Sequence, residues 1–78
     1  MRRIRFKFKR NPGVWGLAFP SGRIELDPSL DERTLLDIAT HEALHVLFPD
    51  LSEESVNNAG ITLADLLWRL GFRRTEEE

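Results

Sequence analysis

The chain has 78 residues, enough for one domain, and a chain this short buries only roughly 60% of the surface its unfolded form exposes. Its 41% hydrophobic and 31% charged content fit a folded chain rather than a disordered one, and no apolar run approaches the roughly 20 residues of a membrane helix. With no cysteine, disulfides and thiolate metal sites are excluded, so a metal held by histidine and carboxylate is the staple open to a core this small.

The net charge of −2 hides an asymmetry. Residues 1–10 carry six cations (Arg2, Arg3, Arg5, Lys7, Lys9 and Arg10), and the sequence closes on Glu76-Glu77-Glu78. The basic start lacks the apolar stretch of a signal peptide, so a cytoplasmic location is the default expectation. Residues 1–74 are expected to form one domain and residues 75–78 a disordered acidic tail.

In chain order, residues 3–9 alternate basic and apolar, placing Ile4, Phe6 and Phe8 on the buried side of a strand. Asn11-Pro12-Gly13 signals a turn, residues 14–19 a second strand, Pro20-Ser21-Gly22 a second turn, and residues 23–27 a third strand. These spacings predict a three-stranded antiparallel meander. At Ser29-Leu30-Asp31-Glu32 the pattern matches a capping box, and the period becomes helical. The first helix is expected from about Leu30 to Phe48, where Pro49 stops it. Asp50 or Ser52 caps a second helix, with Val56, Ala59, Leu63, Leu66, Leu67 and Leu70 as its buried face and Gly71 as its C-cap. The fold class is therefore α+β, a small sheet with two helices on one face. Trp15 and Trp68 are expected to staple the sheet to the helices.

His41-Glu42-Ala43-Leu44-His45 lies deep in the first helix and uses the only two histidines in the chain. Residues four apart on a helix share a face, so both imidazoles can reach one zinc ion at about 2.0–2.1 Å. Glu42, about 100° round the helix from His41, is placed to act as general base on a zinc-bound water rather than as a ligand. A catalytic zinc site needs a third protein ligand and an open position. The candidates are Asp50, Glu53 and Glu54. Helical rotation favours Glu53, near the edge of the buried face, over Glu54, which points away from it. Asn57 would share the face of Glu53 and could bond the other ring nitrogen of a ligand histidine. Asp37 and Thr40, within a turn of the motif, are expected to be ordinary helix-surface residues.

This pattern, His41-Glu42-x-x-His45 followed by Glu53 on a second helix, resembles the gluzincin group of HExxH zinc metallopeptidases, to which thermolysin belongs. In that group the third ligand is a Glu on a downstream helix, often followed four residues on by an Asp; here Asn57 stands in that place. The stretch from Thr40 to Arg74 is also similar to small phage-encoded, metallopeptidase-like proteins. Pro49-Asp50-Leu51-Ser52-Glu53-Glu54 and Leu67-Trp68-Arg69-Leu70-Gly71-Phe72-Arg73 carry that similarity. The resemblance implies a minimal zincin core in the last half of the chain, an N-terminal sheet offering an edge to substrate, and, for a phage product, the host cytoplasm as location.

The expected function is zinc-dependent hydrolysis of peptide or amide bonds in a protein or peptide substrate. Zincins usually grip the substrate as an added strand, and residues 23–27, just before the active helix, are the candidate edge. The chain has no tyrosine to stabilise an oxyanion, which leaves an arginine or the zinc for that task. The alternative is a non-catalytic, zinc-stapled module contacting a protein or nucleic acid through the basic first strand. Nucleic acid is disfavoured as a partner because Phe6 and Phe8 alternate away from the cations, and edge strands carry such cations to resist aggregation.

Overall fold

The computed structural model describes residues 1–75. The expected tail therefore lies, apart from Thr75, outside the described residues. Three strands, β1 (Arg5–Phe8), β2 (Gly16–Ala18) and β3 (Arg23–Leu26), precede two helices, α1 (Glu32–Leu47) and α2 (Glu53–Leu70). The α+β class and the element order follow the sequence reading, but the sheet is not a meander. Its order is β1-β3-β2, with β1 parallel to β3 and β2 antiparallel to it.

Alternation decides which face a residue takes; it does not decide which strands pair. Residues 9–15 form a connection long enough to pass the end of β3, so the Asn11-Pro12-Gly13 signal falls within a crossing rather than a hairpin. Asn11 and Val14 bridge across this turn, and Asn11 Nδ2 donates to Glu25 Oε1 at 3.0 Å. Pairing β1 with β3 sets Lys7 opposite the acid Glu25, the favourable sense of a cross-strand pair. The β2–β3 connection is the tight hairpin, closed by Gly22 N–H to Phe19 O at 3.0 Å and Phe19 N–H to Arg23 O at 2.9 Å. Gly22 there has φ 98°, a left-handed value that glycine supplies without strain.

Strand β3 is central, and the edges are β1 and β2. Ile24 and Leu26 point into a core completed by Val46 of α1, with Ile4, Phe8, Ala18, Leu35, Ile38 and Ala39 packed around it. Helix α1 lies over β2 and β3 only. Phe6, expected inside, is therefore 64% exposed on the uncovered part of β1, edge-to-face with Phe8. Trp15 does not staple the sheet to the helices either, being 59% exposed. Trp68 is half-buried, with Arg33 and Arg73 over its ring.

Helix α1 is capped by Asp31, whose carboxylate accepts from Thr34 N–H at 2.8 Å. The capping box expected from Ser29 fails because Ser29 is engaged elsewhere. Both its N–H and its hydroxyl donate to Asp27 Oδ1, at 2.8 and 2.7 Å. Those donors hold the Asp27 carboxyl below the usual carboxylate range, and Thr34 does the same for Asp31. Ser52 caps α2, accepting from Ser55 N–H at 3.1 Å, and Gly71 ends it with φ 97°.

Helix α2 packs on α1 alone. Val56 is buried as expected, but Gly60 and Ala64, at successive turns beyond it, take the place of the leucine row. Leu63, Leu66 and Leu70 are exposed, and Ala59 and Leu67 are half-buried. Small side chains let two helices approach closely, and a Cβ built on Gly60 would lie 3.6 Å from the Cα of His41. Thr40, expected at the surface, lies in this interface, its Oγ1 2.9 Å from the carbonyls of Leu36 and Asp37 and 3.4 Å from that of Gly60. No helix among the described residues is long and apolar enough to cross a membrane.

Candidate metal centre

The turn at residues 48–52 reverses the chain and lays the start of α2 beside the face of α1 that carries His41 and His45. Glu53, the first helical residue after the Ser52 cap, thereby reaches both imidazoles. Its Oε2 lies 3.1 Å from His41 Nε2 and its Oε1 3.1 Å from His45 Nε2. The two Nε2 atoms are themselves 3.1 Å apart. Among the described residues, His41, His45 and Glu53 form a group that could hold a metal ion.

Hydrogen bonding does not satisfy all three sides of this triangle. Each Nε2 can carry one proton, directed along one line in the ring plane. If both nitrogens are protonated toward Glu53, the contact between them sets two donors against each other. If one donates to the other, its own contact to the carboxylate loses its proton. A shared cation fits instead. Ligands at about 2.0–2.1 Å in a tetrahedral array stand roughly 3.3 Å apart, within a few tenths of an ångström of the spacing observed.

Glu54, the alternate third ligand, and Asp50 are not in the group. Glu53 is the carboxylate that stands with the two histidines, on a helix whose buried face is made of smaller residues than expected. Asn57 shares the side of α2 that Glu53 occupies, yet it makes no hydrogen bond to His41 or His45 and is exposed. It lines a cleft beside His41 and Glu42.

That cleft runs along β2, with Gly16, His41 and Glu42 common to its two halves. One half is walled by Trp15, Asn57 and Arg10, the other by Phe19, Pro49, Arg2 and Glu53. The edge that borders the centre is therefore β2; residues 23–27, the candidate from sequence, lie in the middle of the sheet. Backbone bonds to β3 are made by Trp15 O and Phe19 N–H, flanking the Leu17–Glu25 pair. In an antiparallel ladder the residues between, Gly16 and Ala18, direct their polar groups away from β3.

The chain matches no family model, no curated protein and no solved structure.

Glu42 is half-buried at the centre of the cleft. Burial raises its carboxyl above the ordinary value; the nearby imidazoles oppose that shift and Glu53 adds to it. Its position depends on Gly16, within strand β2. A Cβ built on Gly16 would lie 2.6 Å from Ile38 Cγ2, 3.0 Å from Glu42 Cγ and 3.2 Å from Glu42 Oε2. The strand backbone thus forms the wall against which Glu42 is held. A glycine inside a short strand is the one sequence signal for this close approach.

Proposed function

We propose that this protein is a zinc-dependent hydrolase of peptide or amide bonds, with the metal held by His41, His45 and Glu53 and with Glu42 as general base. The observation that carries this reading is the Nε2–Nε2–carboxylate triangle at 3.1 Å, with Glu42 beside it in an open cleft. Two imidazoles and a carboxylate in so tight a triangle suit zinc better than a larger, oxygen-seeking cation.

The bound cation would supply Lewis acidity, lowering the pKa of water and polarising a carbonyl. The chain's own residues do the rest. Glu42 accepts a proton from the attacking water and passes it to the leaving nitrogen, a task suited to a carboxylate whose proton affinity burial has raised. The Gly16 backbone and Ile38 hold that carboxylate in place. The outward amide and carbonyl groups of Gly16 and Ala18 give an extended peptide main-chain hydrogen bonds independent of its side chains. The chain has no tyrosine; Asn57 and Trp15 are neutral hydrogen-bond donors on the wall beside His41 and Glu42.

The open side of the triangle favours an enzyme over a zinc staple. A structural site closes its coordination with four protein ligands, whereas no fourth histidine or carboxylate joins this group among the described residues. The test is Glu42→Gln. The variant should bind zinc as the parent does and lose hydrolysis of peptide substrates by about 10²–10⁴-fold. Hydrolysis that persists in the variant removes Glu42 from the mechanism; loss of zinc along with activity makes it a ligand instead.

A further inference from the structure

Each half of the cleft carries one arginine, and the two differ in what neutralises them. Arg10 lies close enough to Asp27 to help hold that carboxyl ionised. Arg2, in the half beyond His45, pairs with no carboxylate among the described residues. Its guanidinium is nonetheless seated. Nη1 donates to the Val46 carbonyl near the end of α1 at 3.3 Å, and the group lies along Gly22, where a Cβ would stand 3.4 Å from Nη2 and 3.8 Å from Nε. One N–H is used, and Arg2 lines the same half of the cleft as His45, Glu53 and Phe19. An uncompensated cation fixed at the rim of a binding cleft selects negative charge.

The direction of β2 places that charge along the substrate. The strand runs from Gly16 to Ala18, and antiparallel addition, the more stable pairing, reverses the added peptide. The peptide then enters with its N-terminal part over Ala18, Phe19 and Pro20, the half that contains Arg2. We propose that Arg2 is a specificity-determining residue that selects peptides with an acidic side chain on the N-terminal side of the bond attacked. This rests on the peptide-hydrolase reading above, and binding separates the two.

The probes are three dansyl-labelled octapeptides, identical except for Glu, Gln or Lys two positions before the central bond, and a fourth with the Glu moved two positions after it. Anisotropy is read with zinc-loaded Glu42→Gln protein carrying Arg2, Arg2→Gln or Arg2→Glu, and cleavage by mass spectrometry with Glu42 present. With Arg2, the first Glu peptide should bind about two- to fivefold tighter than the Lys peptide, the range of one exposed ion pair. Arg2→Gln should level the series and Arg2→Glu should reverse it, and the preference should shrink with added salt. A preference that survives Arg2→Gln, one for the displaced Glu, or failure of every peptide to bind overturns the assignment. Arg2-dependent binding without cleavage in the Glu42 protein would keep the assignment and remove the hydrolase reading. Cleavage indifferent to charge would do the reverse.

Discussion

Replacing Gly16 by alanine is the most discriminating small perturbation of the site. The added methyl would sit 2.6 Å from Ile38 Cγ2 and 3.0 Å from Glu42 Cγ, against about 3.5–4.0 Å for relaxed carbon contacts. Relief requires a shift of roughly 1 Å by the strand, by Ile38 or by Glu42. Ile38 packs on the core and has little room to move. Overpacking of this kind costs about 1–3 kcal/mol, a fall in Tm of roughly 5–20 °C for a chain this size. Misplacing the general base by 1 Å costs on the order of 100-fold in kcat. Zinc affinity should hold, because the atoms nearest the new methyl belong to Ile38 and Glu42 rather than to His41, His45 or Glu53. The assays are thermal unfolding, zinc titration and peptide cleavage on one preparation. Gly60→Ala is the matched control. Its Cβ would meet His41 backbone atoms at 3.6 and 3.7 Å, ordinary contact, and helix propensity should then stabilise it by up to about 1 kcal/mol. A Gly16→Ala protein as stable and active as the parent would refute the close packing of strand and base.

Three further outcomes follow from the same structure. Val56→Ala removes a fully buried side chain between the helices and should cost about 2 kcal/mol, whereas Leu63→Ala, 42% exposed, should stay within about 0.5 kcal/mol in urea unfolding. Asp27 has its carboxyl depressed by the Ser29 donors, so its contribution is complete above its unfolded value near 3.8 and is lost as pH falls through the lower folded value. Asp27→Asn should accordingly flatten the acid limb of a stability–pH profile below about pH 4 and leave its slope near pH 7 unchanged. Zinc at a thousandfold excess over its Kd should stabilise the fold by about 4 kcal/mol in a thermal scan, an increment that EDTA removes.

Much of the fold was legible because its punctuation is chemical. Pro49 stopped α1, Ser52 capped α2 and Gly71 ended it where the residues said they would. The histidine pair was legible because i and i+4 on a helix must share a face. Strand pairing was not, since Arg5–Phe8 alternates in the same way whether it pairs with β2 or β3. The inner face of α2 beyond Val56 was hidden for a different reason. Leucines carry the larger apolar area, but close helix contact selected Gly60 and Ala64, whose spacing of four from Val56 was the available signal. Ser29 was misread because Asp27, two residues upstream, competes for its donors. The cleft residues Arg2, Arg10 and Trp15 come together only through the tertiary fold, and no local pattern announces them.

Zinc titration of the metal-free protein, followed calorimetrically for the parent, Glu53→Gln and Glu54→Gln, tests the metal centre most directly. The expected result is one ion per chain, with Glu54→Gln unchanged. Glu53→Gln should be weakened by at least the roughly 10–100-fold that loss of an outer-sphere partner costs in metal sites. Weakening on Glu54→Gln alone, or a parent protein that takes up no stoichiometric zinc, would contradict it.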